Sequence, residues 1–195
     1  ISPGEFISIV EETGIIVSMG EWIFRTACGQ LASWRREGFD DIYFSVNVSP
    51  RQLQQKDFGE LLLGIIEESG IESQFLQLEL TESMLMDNRH NSLIAHLHEK
   101  GFPLALDDFG TGYSSFSYLR QFPVQILKID ISFIRGLLQN TNDAAITSAI
   151  IAMARQLNMK VTAEGVESHG QKDMLRRIHC DAAQGYLFSP PVPMD

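Results

Sequence analysis

Two hydrophobic rhythms alternate along this chain. Short apolar runs close on a polar group, and stretches with apolar residues every three or four positions follow them. The short runs are YFSVNVS (43–49), FLQLELTE (75–82), PLALDDFG (103–110), QILKID (125–130), KVTAEGVE (160–167) and DAAQGYLF (181–188). Such runs, bounded by turn residues, predict strands. The longer stretches predict helices. EFISIVEETG is opened by Pro3 and ended by Gly14, and 18–37 carries an apolar stripe of Trp22, Ile23, Ala27, Leu31 and Trp34. Further helices are predicted over 57–70, 87–101, 115–122, 142–158 and 169–180, with FIRGLL (133–138) leading into the fourth of these. For 57–70 the inward set is Phe58, Leu61, Leu62, Ile65 and Ile66, with Gly70 as C-cap.

Strands recur every roughly 22 to 35 residues, the βα rhythm of a barrel or a doubly wound sheet. A dinucleotide-binding sheet needs GxGxxG after its first strand, and none occurs here. Eight units close a barrel, and the pattern shows two fewer. The chain begins with Ile1 in a loop-like ISPGEF, so it reads as a piece of something longer, with the other strands upstream.

Composition adds constraints. At 195 residues and 44% apolar content, one domain with a sizeable core is expected. The net charge of −10 argues against a groove for a nucleic-acid polymer. It permits a cation site whose metal offsets carboxylates before an anionic ligand arrives. Cys28 and Cys180 match no metal or redox motif and read as reduced cysteines of a cytosolic protein. No apolar run reaches the length of a membrane span, and no signal peptide is present.

The polar closures carry the chemistry. They are Asn47, Glu79 with Glu82, Asp107 with Asp108, Lys128 with Asp130, Glu164 with Glu167, and Gln184. A parallel sheet puts its C-terminal strand ends on one face, where a ring of carboxylates can hold divalent metal. Asp107 and Asp108 would point to opposite faces of a regular strand. They share a site only if the strand ends or kinks, which Gly110 and Gly112 permit. The alternative is a helix N-cap beside a solvated Asp. Glu79 and Glu82 fit a strand end turning into a loop, or plain surface charges. Lys128 and Asp130 share a strand face by period two, and the Lys is either a salt-bridge partner or a catalytic cation. Gly165 lets the backbone turn between Glu164 and Glu167. Gln184 can bond a base or sugar, or merely end a strand.

These donors are hard oxygens, with no Cys or His. His90, His96, His98, His169 and His179 fall in predicted helices without the i,i+4 spacing of a zinc helix. The set favours Mg²⁺, Mn²⁺ or Ca²⁺ over zinc. Two such ions bridged by an Asp suit in-line phosphoryl displacement, so phosphodiester hydrolysis is the leading expectation. Asp108-Phe109-Gly110 spells the kinase DFG, but no other kinase motif accompanies it.

In this order, NVS, ELTES, DDFGTGYSS, LKID, AEGVE and QGYLF resemble the EAL-domain family of cyclic di-GMP phosphodiesterases, from ISPGEF to PPVP. The resemblance implies an α/β fold, a (β/α)8 TIM-like barrel with one strand reversed. The chain would be a partial domain over 1–195, missing its N-terminal strands and its C-terminal end. The implied reaction is hydrolysis of cyclic di-GMP to linear pGpG with two Mg²⁺ or Mn²⁺ ions, Ca²⁺ being inhibitory. By motif, Asn47 and Glu79 match ligands of a first metal, Asp107 the bridging ligand, and Asp108 and Glu164 ligands of a second. Lys128 matches the lysine that orients water or screens developing charge, and Glu164 is also read as a general base. Glu82 matches the anchor of the DDFGTG loop. Asp130, Glu167 and Gln184 match residues that touch substrate or support the ligands. The implied partners are cyclic di-GMP, a second copy in a homodimer, and sensory or cyclase-like domains of the same parent, in the cytoplasm. The Glu-Ala-Leu tripeptide that names the family is absent from the sequence. The isolated piece is therefore expected to be a poor enzyme, and a parent without the tripeptide would be a receptor that binds without cleaving. An enolase-like barrel with Mg²⁺ beside a Lys base is a third reading; the doubled Asp and the Asn argue against it.

Overall fold

The structure, a computed structural model, describes residues 3–110, 119 and 122–193. The chain forms two compact units, Ile1–Leu104 and Ala105–Asp195. Loop residues Gly112, Ser114 and Ser115 and most of the helix expected over 115–122 lie outside the described residues.

In the first unit, α1 (Pro3–Thr13) ends at Gly14, and α2 runs Ile15–Arg36. Its buried face is Ile16, Gly20, Phe24, Cys28 and Leu31. The expected stripe was therefore rotated: Trp22 is 66% exposed, while Trp34 stacks on Phe44 with ring centroids 5.5 Å apart. Bulky residues alone misplace the face, because a glycine and a cysteine complete the true one and let neighbours pack closely. Strand β1 (Phe44–Asn47) leads into a short helix, α3 (Pro50–Leu53), that hydrophobic periodicity had not revealed. Ser49 and Gln52 close a capping box there, each side chain bonded to the other's backbone N–H. Helix α4 (Phe58–Ser69) packs on α2, with Phe58 edge-on to Phe24 at 6.0 Å, and Gly70 caps it in left-handed geometry.

Strand β2 (Leu76–Thr81) pairs in parallel with β1, and Glu82 opens α5 (Glu82–Met86). Every β2 residue but Thr81 is buried, as expected of a parallel strand covered on both faces. Residues 88–90 form a 3-10 turn capped by the Asp87 side chain, and α6 follows (Asn91–Glu99). His90 is buried in that 3-10 turn.

In the second unit, β3 (Leu104–Phe109), β4 (Ile126–Ile129), β5 (Lys160–Ala163) and β6 (Ala182–Ala183) pair in sequence order, each parallel to the next. Between them run α7 (Ile131–Gly136), α8 (Thr141–Gln156) and α9 (His169–Arg177). Strand β6 spans two residues, so QGYLF is loop, not strand. Its Gly185 sits where an added Cβ would lie 2.3 Å from the Val166 backbone nitrogen, a close approach that closes the strand early. His179 follows α9 in left-handed geometry. Both cysteines are free thiols, and burial pushes each up to about 11.

Candidate metal centre

Three of the expected carboxylates meet at the strand ends of the second unit. Asp107, Asp108 and Glu164 each bring one carboxylate oxygen within 4.8 Å of the others. Asp107 lies near the end of β3, and Glu164 follows β5 with its N–H bonded to Ile129 O at 3.1 Å. Lys128, on β4 between them, is 4% exposed. Its Nζ lies 2.6 Å from Glu164 Oε1 and 3.0 Å from Asp107 Oδ1. Of the two readings of Lys128, the structure shows the ion-pair partner.

A kink brings Asp107 and Asp108 to one site, as expected, but Asp108 itself makes it. Its φ is +54°, and the register with β4 slips between Leu106 and Phe109, the signature of a bulge. Asp tolerates left-handed backbone better than most residues, because its short side chain can bond locally. Gly110 follows at φ +99°.

The set fits a divalent cation. One ammonium faces three carboxylates, so negative charge is in excess. Asp107 Oδ1 is enclosed, with the Lys128 ammonium 3.0 Å away as its ion-pair partner. All the candidate ligand atoms are hard oxygens, which suit such an ion.

Crowding shows in Asp108. Its carboxyl is held above the ordinary range, first by partial loss of hydration, then by the Asp107 and Asp130 charges, with Lys128 pulling the other way. An acid with a raised folded pKa costs stability once pH exceeds it. We expect Asp108→Asn to raise Tm of the metal-free protein at neutral pH, because Asn keeps the left-handed backbone and sheds the charge. The gain should shrink as pH falls through the raised value and vanish below the ordinary aspartate range. A thermal melt series across pH checks this, and a Tm below wild type at pH 7 would refute it.

The remaining expected residues divide between support and lining. Gln184 Nε2 donates to Glu164 Oε1 at 2.7 Å, so Oε1 receives both Gln184 and Lys128. Asp130 caps α7, accepting from Ser132 N at 2.9 Å. Glu164, Glu167 and Gln184 line a cavity of about 520 Å³ together with Arg135 and Tyr186. Sequence reasoning had passed over Arg135, whose only signal is its place one turn beyond LKID. In the first unit, Asn47 and Glu79 are register partners at the ends of β1 and β2, and Glu79 is 5% exposed. Glu82 follows on α5; the loop segment it was expected to anchor lies outside the described residues.

This acidic strand-end centre on a parallel α/β frame matches a known class. The EAL domain model covers residues 1–191, and the chain belongs to the EAL-domain family. Among curated relatives, the chain is 45% identical over 193 residues to signaling protein YkoW of Bacillus subtilis, covering 98% of this chain and 24% of that protein. It is 40% identical over 197 residues to the bifunctional diguanylate cyclase/cyclic di-GMP phosphodiesterase MucR of Pseudomonas aeruginosa, covering 100% and 29%. With the cyclic di-GMP phosphodiesterase NbdA of the same species it shares 41% identity over 196 residues, covering 100% and 25%. The chain thus spans a quarter to under a third of these relatives. Among solved structures, the MucR phosphodiesterase in complex with c-di-GMP superposes with a TM-score of 0.95 at 39% identity, covering 99% of this chain and 79% of that one. The EAL enzyme Bd1971 bound to cAMP and cyclic di-GMP superposes at 0.94 and 34% identity, covering 98% and 54%. These likenesses establish the α/β barrel class that the family resemblance implies. No helix among the described residues is long and apolar enough to cross a membrane.

Proposed function

We propose that this domain hydrolyses cyclic di-GMP to linear pGpG at the Asp107, Asp108, Glu164 and Lys128 centre, using two Mg²⁺ or Mn²⁺ ions. The observation that carries this is the triad of Asp107, Asp108 and Glu164, whose carboxylate oxygens lie within 4.8 Å of one another around a single ammonium. Asp107, Asp108 and Glu164 would act as metal ligands, and the family resemblance gives Asn47 and Glu79 that role as well. When bound, such ions make a hydroxide available at neutral pH and offset charge on the phosphoryl oxygens.

In the reaction, a bond forms between water oxygen and phosphorus. The P–O3′ bond breaks, its electron pair leaves with O3′, and that oxygen takes a proton to end as a hydroxyl. The chain's own groups supply orientation and charge. Lys128 and Gln184 fix the plane of the Glu164 carboxylate through Oε1. The Lys128 ammonium, held against two carboxylates, also faces the negative charge that builds on the phosphate. Glu82, Asp130, Glu167 and Gln184 would support the ligands or meet the nucleotide. The domain would work in the cytoplasm, as a homodimer, beside sensory or cyclase-like domains of its parent.

The test is incubation of the full-length protein with cyclic di-GMP and Mg²⁺ or Mn²⁺, with the products separated by chromatography. Appearance of pGpG supports the reading, whereas tight binding without turnover would make the domain a receptor. Ca²⁺ should inhibit when added against Mg²⁺, because its longer and looser coordination misplaces the attacking water. Equal rates in Ca²⁺ and Mg²⁺ would contradict this.

A further inference from the structure

The loop that carries Glu164 is held by a residue outside the centre, and we infer that Gln171 is a positioning residue for the Glu164 carboxylate. The inference rests on the reading of Glu164 as a metal-binding group. Gln171 is 8% exposed at the first turn of α9. Its Oε1 accepts from the backbone N–H of Glu167 and of Ser168, both at 2.9 Å, and from Ser168 Oγ at 3.2 Å. Its Nε2 donates to Ile134 O at 2.9 Å. One buried amide therefore ties loop 164–168 to α7, the helix that follows Lys128 on β4.

The loop is pressed from other sides too. Gly165, at φ +67°, lies over Ile131 of α7 so closely that an added Cβ would stand 2.1 Å from Ile131 Cγ1. Val166 N donates to Gln184 O at 3.0 Å, and Leu187 N donates to Val166 O at 3.0 Å. Ile131 limits approach from one side and the Gln184 strand end holds the other. Among these contacts only Gln171 holds the loop's C-terminal half. Without it, residues 167 and 168 lose the acceptor for two part-buried N–H donors, and the loop is free to shift against α7. The 2.6 Å Lys128–Glu164 pair joins the same loop to β4, the strand that leads into α7, so a shift there changes how Glu164 faces a cation.

Gln171 is not a group that touches reacting atoms, so its test needs more than a rate. In the full-length protein, Gln171→Met removes both bonding roles at similar volume. Gln171→Glu keeps the acceptor for Glu167 and Ser168 but places a carboxylate against Ile134 O. The readouts are Mn²⁺ titration without substrate, hydrogen exchange of the peptide containing residues 166–171, and kcat against KM for cyclic di-GMP. We expect Gln171→Met to lose protection in that peptide, to weaken Mn²⁺ binding about tenfold or more, and to lower kcat with KM little changed. Gln171→Glu should keep loop protection and fall between wild type and Met in Mn²⁺ affinity. Ile151→Val, a core change in α8, should lower Tm while leaving Mn²⁺ affinity unchanged.

Wild-type Mn²⁺ affinity in either Gln171 variant would overturn the inference. So would an equal loss of affinity in Ile151→Val, which would mark a general stability effect. Mn²⁺ uptake by wild type without turnover would overturn the hydrolase reading alone. No uptake at all would overturn the metal reading and this inference together.

Discussion

Asp107→Asn is expected to cut cyclic di-GMP turnover by about a hundredfold or more, while circular dichroism and Tm stay near wild type. The substitution keeps volume and shape at a side chain that is 8% exposed, so packing on β3 survives. What it removes is one negative charge at the centre of the triad. An amide oxygen is a weaker ligand for a hard cation than a carboxylate oxygen, and it cannot bridge two ions with comparable strength. The amide also ends the ion pair with Lys128 Nζ, 3.0 Å away. Loss of correctly placed charge at such a site typically costs about 10²–10³ in rate. Near-normal turnover with unchanged metal dependence would contradict the assignment, and Mn²⁺ titration of the variant would show whether binding or positioning fails.

Lys128→Met should have the second largest effect, with opposite consequences in the metal-free and metal-bound protein. Lys128 is the buried ammonium between Asp107 and Glu164. Removing it leaves two carboxylates facing each other without compensation, and breaking a buried pair in this way costs about 3–5 kcal/mol. The metal-free variant should therefore melt well below wild type. Saturating Mn²⁺ should raise the variant's Tm by more than it raises that of wild type, because cations then provide the missing positive charge. Turnover should remain low even at saturating metal, since the ammonium that faces the phosphate is gone. A variant with wild-type Tm in chelator, or full turnover at high Mn²⁺, would refute this role. Either result would return Lys128 to a plain ion-pair partner on the strand.

Much of the frame was legible because it depends on local rules. Apolar runs of strand length separated by helical spacing specify parallel βα units, and each strand lies within two residues of its expected limits except at the C-terminal ends of the last two. Helix ends at Gly14 and Gly70 follow from glycine's access to left-handed backbone. The hard-oxygen donor set pointed to a divalent cation before any geometry was known. The errors have local causes too. The face of α2 was misread because Gly20 and Cys28 carry little hydrophobic weight, although they are what lets neighbours approach. Helix α3 is four residues long and held by its Ser49–Gln52 capping box, so it leaves no periodic signal.

By itself, then, the order of residues determined the element types, the parallel pairing and the chemical class of the strand-end groups. Each of these follows from spacing, side-chain type and backbone preference within a few positions. Only the tertiary structure decided that Asp108 takes φ +54° and turns its carboxylate toward that of Asp107, because the bulge arises from register between β3 and β4. It alone seated Lys128 between Asp107 and Glu164, residues 21 and 36 positions away in the chain. It alone joined Gln171 to Ile134, 37 positions apart. Distances of a few ångströms between groups so far apart along the chain are set by how strands and helices stack, which no local pattern encodes.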